Sequence, residues 1–215
     1  MDVYFISGLG ADRSVFERLV LPAEYIIHHI DWIQFEKNEQ LDSYAKRLSK
    51  AIDASQPFVL IGLSLGGMLA SEMTDFLQPS KAIIISSAPT AKQLPPWFRW
   101  MGRTRLNKLV PLLFYKQRHA LLHWLFGIHT REEKELFSYI VLNADPLFVH
   151  RAINAVLQWK RETRNKNIVH IHGDADNLLP VRFAKPDITI KGGGHLMVFS
   201  KAEEVSLVLN EILGR

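Results

Sequence analysis

Val59-Leu60-Ile61-Gly62-Leu63-Ser64-Leu65-Gly66-Gly67-Met68 is an apolar run that stops at a serine bracketed by glycines. It reads as a strand, a tight turn and the first turn of a helix. Gly62 and Gly66 carry no Cβ, so strand and helix can approach closely while Ser64 occupies the apex in a strained backbone conformation. The turn presents one hydroxyl at a helix N-terminus, where unpaired N–H groups and the positive end of the helix dipole favour negative charge developing beside it. The plainer alternative is a serine that caps a helix at a glycine-rich turn.

Outward from this stretch, strand and helix alternate. Val3 to Ile6 is a short apolar run that ends in Ser7-Gly8-Leu9-Gly10, a buried strand entering a glycine loop. A helix is expected next, capped by Asp12 with Val15, Phe16 and Leu19 as its apolar stripe. Tyr25 to Ile30 reads as a second strand. Leu41, Tyr44, Ala45, Leu48 and Ile52 then recur at helical spacing, and Pro57 closes that helix. After the serine come a helix to about Leu77 and a continuous apolar strand from Lys81 to Ser86. Strands apolar on both faces and separated by helices are the mark of a parallel sheet covered by helices.

The alternation breaks between Ala88 and Asn167, where only helical segments are legible. Pro95-Pro96 marks the entry and the polar stretch Arg161 to Asn167 the exit; Thr130-Arg131-Glu132-Glu133 is a capping box, and Asp145-Pro146 an N-cap with proline at the first helical position. This is far more chain than a strand crossover needs, so residues 88–167 read as an inserted helical cap on a core of residues 1–87 and 168–215. Strand character returns at Ile168 to His172 and at Asp187 to Ile190. Ser200-Lys201-Ala202-Glu203 then reads as a second capping box opening a final helix, whose apolar face is Val205, Val208, Leu209 and Ile212. About six parallel strands result.

Composition narrows the classes. The 215 residues suit one domain with a sizeable core. The formal charge of +4 is mild, and no nucleic-acid-binding module accompanies it. There is no cysteine, hence no disulfide framework. The N-terminus Met1-Asp2-Val3-Tyr4 has neither a basic region nor a cleavage site, and no apolar run is long enough to span a bilayer, so a cytoplasmic location is expected.

A serine hydroxyl is a poor nucleophile at neutral pH unless a base takes its proton. Nine histidines compete for that task. His195 follows Gly192-Gly193-Gly194, a loop just after the last strand, where ligands gather at the strands' carboxyl ends. His28, His29, His119, His123, His129 and His150 fall in elements or in the insertion and read as structural or surface groups. The base needs a carboxylate to fix its tautomer. His172-Gly173-Asp174-Ala175-Asp176-Asn177-Leu178-Leu179-Pro180 offers two, Asp174 and Asp176. The oxyanion of an attacked carbonyl needs N–H donors, each worth roughly 3 to 4 kcal/mol when well placed. The Leu65 N–H at the helix start is one.

Taken together these stretches resemble the α/β-hydrolase family, in its serine-nucleophile, esterase- and lipase-like branch with a helical cap. Gly62-x-Ser64-x-Gly66 is similar to its nucleophile elbow, and Ser64, Asp176, His195 follow its Ser, Asp/Glu, His order. The 173–180 stretch resembles its G-x-x-D-x-x-x-P turn, which implies that Asp176 is the acid and Asp174 a turn former or a supporting partner. Ser7-Gly8-Leu9-Gly10 resembles its H-G-x-G loop, with Ser7 where histidine is usual, and implies the Leu9 N–H as second oxyanion donor. The first strand runs straight into that loop where the family's core usually begins with a two-strand hairpin, so a trimmed, six-stranded version of the fold is expected. Serine at position 64 argues against the epoxide hydrolases and dehalogenases, whose nucleophile is a carboxylate.

The resemblance implies an α/β-hydrolase fold and hydrolysis of an ester or related acyl bond through an acyl-enzyme, without a cofactor or a metal. Thioester, peptide and carbon–carbon bond hydrolysis use the same triad, and a ligand-binding relative with little turnover is an alternative. A metal reading is weaker. His170-x-His172 with Asp174 and Asp176 superficially resembles the H-x-H-x-D run of metallo-β-lactamases, but Ala175 or Asn177 stands where the next histidine belongs.

The insertion is basic and aromatic. No acidic residue occurs between Asp75 and Glu132, while Lys81, Lys92, Arg99, Arg103, Arg105, Lys108, Lys116, Arg118 and Arg131 are interleaved with Trp97, Phe98, Trp100, Phe114, Tyr115, Trp124 and Phe126. One reading is a cap that attracts anionic acyl substrates or a membrane surface. The other has apolar faces on the core and over an apolar acyl pocket, with basic faces in solvent. The expected partner is a small acyl compound with an apolar acyl group; no nucleic acid is expected.

Overall fold

A computed structural model describes residues 1–104 and 120–214. The sheet has six strands, all parallel, in the order β2-β1-β3-β4-β5-β6. They are β1 (Asp2–Ile6), β2 (Ile26–Ile30), β3 (Phe58–Leu63), β4 (Lys81–Ile85), β5 (Ile168–Gly173) and β6 (Ile188–Ile190). Residues alternate across the sheet with the period of two that a strand imposes. Tyr4, Ile6, Leu60 and Ile84 face one layer, which contains α1 (Leu41–Leu48), α2 (Leu65–Met73) and part of α6 (Pro146–Leu157). Val3, Phe5, Val59, Ile61 and Ile83 face the other, which contains α9 (Ala202–Leu213). Because both faces are covered, β3 is buried at every position.

The chain runs from β1 out to the edge at β2, then crosses back to β3 on the far side of β1. Order reverses there, and the carboxyl ends of β1 and β3 open a crevice of the kind in which ligands bind in open α/β sheets. Between β4 and β5 lie α3 (Pro96–Thr104), α4 (Ala120–Phe126), α5 (Arg131–Asn143) and α6. The capping box at Thr130 forms, with the Glu133 N–H donating to Thr130 Oγ1 at 3.2 Å and the Thr130 N–H to Glu133 Oε2 at 2.8 Å. Asp145 caps α6 by accepting from the Leu147 N–H at 2.8 Å.

Three expectations are corrected. The stretch after Asp12 is a single 3-10 turn, Arg13–Phe16, because Leu21-Pro22 returns the chain to extended backbone; Asp12 does cap it through the Ser14 N–H. The helix after Ser64 ends at Met73, with looser turns to Leu77. Ser200 caps nothing. It ends a short helix, α8 (Met197–Ser200), so its backbone is already helical where a cap must be extended, and α9 starts without a side-chain cap. The short α7 (Val181–Ala184) follows the turn after β5. Of the residues singled out above, Arg105, Lys108, Phe114, Tyr115, Lys116, Arg118 and His119 lie outside the described residues.

Candidate active site

β3 delivers Ser64 to the switch point at φ 51°, ψ −116°, a left-handed backbone costing on the order of 1–3 kcal/mol. Several contacts hold it there. The Ser64 N–H donates to the Ile85 carbonyl at 2.9 Å, and Ser87 Oγ donates to the Ser64 carbonyl at 2.6 Å. The two glycines are required sterically: a Cβ on Gly62 would lie 2.4 Å from the Gly66 carbonyl oxygen, and one on Gly66 would lie 2.2 Å from that of Ile6.

Behind the serine the chain forms an unbroken line of hydrogen bonds. His195 Nε2 lies 2.8 Å from Ser64 Oγ, and His195 Nδ1 lies 2.7 Å from Asp176 Oδ2. Asp176 is buried, and its Oδ1 accepts the Leu178 and Leu179 N–H groups, each at 2.9 Å. The carboxylate therefore has both oxygens occupied, one by the turn that carries it and one by the imidazole. Asp174 is exposed and elsewhere. Its Oδ1 accepts the Gly192 N–H at 2.6 Å, tying the turn after β5 to the loop after β6.

His195 is held from α4 as well. Its N–H donates to the Phe126 carbonyl at 2.8 Å, and the Phe126 ring meets the imidazole edge-on with centroids 5.0 Å apart. Sequence reasoning missed this role for Phe126, as it missed Ser87. Neither residue carries a local signal, because each meets its partner only through the folded chain.

The glycine loop after β1 is stitched to the start of α2 by the Gly66 N–H, which donates to the Ser7 carbonyl at 3.1 Å. Ser7 Oγ donates to the Ala11 carbonyl at 2.7 Å, and Trp32 Nε1 donates to the same carbonyl at 2.8 Å. Ser7 thus braces the loop from within. Among the described residues the N–H groups of Leu9 and Leu65 donate to no backbone carbonyl, and both residues line the same cavity as Ser64 and His195.

That cavity has a volume of about 340 Å³. Ser64 and His195 supply the polar side chains of its lining; the rest is apolar, including Met68, Phe98, Phe126, Ile140 and Val149. The expectation that the insertion's aromatics line the pocket holds for Phe98 and Phe126 and fails for Trp97, Trp100 and Trp124, which are exposed. Successive helix positions lie about 100° apart around the axis, so with Phe98 on the cavity Trp97 points elsewhere and meets Phe183 edge-on. Of the insertion's cations, Lys92 pairs with Glu162 and Arg131 with Glu135.

His170 and His172 do not form a metal site. Both are buried, with His170 Nε2 3.2 Å from His172 Nδ1 and His172 Nε2 2.7 Å from the Leu179 carbonyl. Among the described residues no group of three or more His, Cys, Asp or Glu is placed to hold a metal ion. Among the same residues no helix is long and apolar enough to cross a membrane.

A model of the Alpha/beta hydrolase family matches residues 3–206, and the chain belongs to that family. Its fold is similar to that of a thermophilic esterase from Thermogutta terrifontis, with TM-score 0.74 and 18% identity over 99% of this chain and 89% of that one. MenH from S. aureus aligns with TM-score 0.73 and 16% identity over 100% of this chain and 93% of that one. An esterase from Exiguobacterium antarcticum aligns with TM-score 0.69 and 15% identity over 100% and 92%. In sequence, a shikimate kinase from Psychrobacter cryohalolentis is 22% identical over 171 residues, 73% of this chain and 87% of that protein. No stretch of the sequence matches G-x-x-x-x-G-K-[S/T], the loop that cradles nucleotide phosphates.

Proposed function

We propose that this protein is a serine hydrolase that cleaves an ester or related acyl bond through an acyl-enzyme. Ser64 Oγ attacks the carbonyl carbon as His195 Nε2 takes its proton. Asp176 holds His195 in the tautomer with Nδ1 protonated and stabilises the imidazolium. The Leu9 and Leu65 N–H groups receive the oxyanion, and the imidazolium then protonates the departing alcohol. A water activated by His195 releases the acid and restores Ser64. Within residues 88–167, the helices α3 to α6 act as a cap over the core formed by 1–87 and 168–215.

The observation that carries this reading is the hydrogen-bonded line from Ser64 Oγ through His195 to Asp176, opening into an apolar cavity. No Asp, Glu, Lys or Arg among the described residues lines that cavity, so the acyl group is uncharged and apolar. Each CH₂ buried is worth about 0.8 kcal/mol, or roughly fourfold in kcat/KM while room remains. A fluorophosphonate probe is expected to label the wild type and not Ser64→Ala. On p-nitrophenyl esters of rising chain length, kcat/KM should climb to a medium length and then stop. Ser64→Ala should lower turnover by on the order of 10⁴ or more. A folded wild type that neither labels nor hydrolyses any ester of the series refutes the proposal.

A further inference from the structure

Behind Asp176, on the side away from Ser64, lies a second line of polar contacts that the proposed reaction does not use. A carbonyl only accepts, so the His172 Nε2 that lies 2.7 Å from the Leu179 carbonyl carries a proton. In the neutral ring Nδ1 is then bare, and the His170 Nε2 at 3.2 Å must donate to it. Burial favours that neutral form and pulls both imidazoles below the usual histidine range, although Asp176 acts in the opposite direction on His172. Leu179, whose carbonyl is so held, is also the residue whose N–H donates to Asp176 Oδ1. His172 Nε2 itself lies 3.4 Å from Asp176 Oδ2, the oxygen that faces His195.

Resting on the triad reading above, we propose that His172 is a positioning residue for Asp176. Its ring, held in one tautomer by the Leu179 carbonyl and supported at Nδ1 by His170, fixes Leu179, whose N–H in turn holds the carboxylate, leaving Oδ2 aimed at His195 Nδ1. A neutral donor suits the task. It orders the turn without placing a full positive charge beside Asp176, where that charge would compete with the imidazolium of His195 for the carboxylate. Both side chains are wholly buried, so water cannot substitute for the missing donor if the ring is replaced.

The test compares wild type, His172→Leu and His172→Gln, the last keeping an N–H near the position of Nε2. Two readouts are taken on protein whose fold is checked by near-ultraviolet circular dichroism. One is the far-downfield proton resonance of His195 Nδ1, assigned by its absence in His195→Gln, which needs no turnover. The other is the split between kcat and KM on the best ester. The expected result is loss or broadening of the resonance in His172→Leu and a fall in kcat of about 10- to 100-fold with KM within about twofold. His172→Gln should restore the resonance and bring kcat back to within a few-fold of wild type. A folded His172→Leu that keeps both the resonance and kcat overturns the proposal. So does a folded His172→Gln that fails as completely as leucine, since the ring would then only fill space. If His172→Leu does not fold, His172→Gln decides alone: both signals retained support the donor, and both lost overturn it. A wild type that shows the resonance yet neither labels nor hydrolyses defeats the hydrolase reading instead, and the resonance comparison still judges His172.

Discussion

Asp174 and Asp176 are two residues apart on one turn and have opposite environments. Asp176 is buried and accepts from two backbone amides and an imidazole, whereas Asp174 is exposed and accepts from one amide of a neighbouring loop. Of the two, it is Asp176 that meets the His195 ring. Asp176→Asn keeps the shape but lets an amide N–H face Nδ1, which favours the wrong tautomer, and an effect on kcat of about 10⁴ is expected from that change. Asp174→Asn keeps an acceptor for the Gly192 N–H and should stay within a few-fold of wild type. Steady-state kinetics on the two variants check this, and a loss confined to Asp174→Asn would move the acid. Ser64 and His195 were legible as candidates for nucleophile and base because each stands beside glycines that break an element. Which of the two carboxylates meets His195 was not legible from spacing alone: Asp174 and Asp176 differ in burial, and burial depends on how the Leu178-Leu179 turn folds back over the carboxylate. Ser87 and Phe126 were not legible either, because Ser87 Oγ and the Phe126 carbonyl touch the site across 23 and 69 residues of chain.

Elements obey their local signals where their ends are free, and depart from them where a neighbouring element claims the same residues. Thr130 stands in extended backbone before α5 and completes its capping box, while Ser200 is absorbed into α8 and cannot. A contact of another kind joins α2 to the segment leading into β5. Trp159 Nε1 donates to Glu72 Oε1 at 2.6 Å, and Arg161 pairs with Asp75 at 2.5 Å while its guanidinium stays 3.9 Å from Glu72. Burial holds the Glu72 carboxyl above the usual range even though Trp159 and Arg161 both lower it. A carboxyl raised by folding contributes stability below its unfolded value of 4.5 that is lost as pH rises through the folded value. Glu72→Gln keeps an acceptor for Trp159 and removes the charge. It should therefore melt higher than wild type at pH 7, and the gap should close below about pH 4.5; melting curves across pH decide. A lower melting temperature at pH 7 would mean that the pairing with Arg161 outweighs burial. Trp159→Phe, which strands Glu72 without its donor, should cost about 1–3 kcal/mol.

At the scale of the molecule, the parallel sheet was legible because its central strands are apolar on both faces, and α3 to α6 because no strand pattern interrupts the sequence between β4 and β5. Strand order was not legible, since it is set by crossovers that leave no trace in composition. That order buries β5 between β4 and β6, and with it His170, which is fully excluded from solvent. Desolvation pushes its imidazole down to about 3, helped by His172 and Arg164 and opposed by Asp187. Because the folded value lies below the unfolded 6.5, the unfolded chain takes up a proton that the folded one refuses between those two values. Stability is thus fully present above pH 6.5 and falls as the solution is acidified, by about 1.4 kcal/mol per pH unit for one proton. His172 and His29, also lowered by burial, steepen the same limb. His170→Gln retains a donor for His172 Nδ1 and cannot titrate. Urea unfolding at a series of pH values from 7 to 4 should show its stability declining less steeply than that of wild type, by about one proton's worth of slope once the pH is well below 6.5. If the two slopes coincide, His170 must gain a proton without the sheet opening, and β5 cannot be as tightly enclosed as its position in the strand order requires.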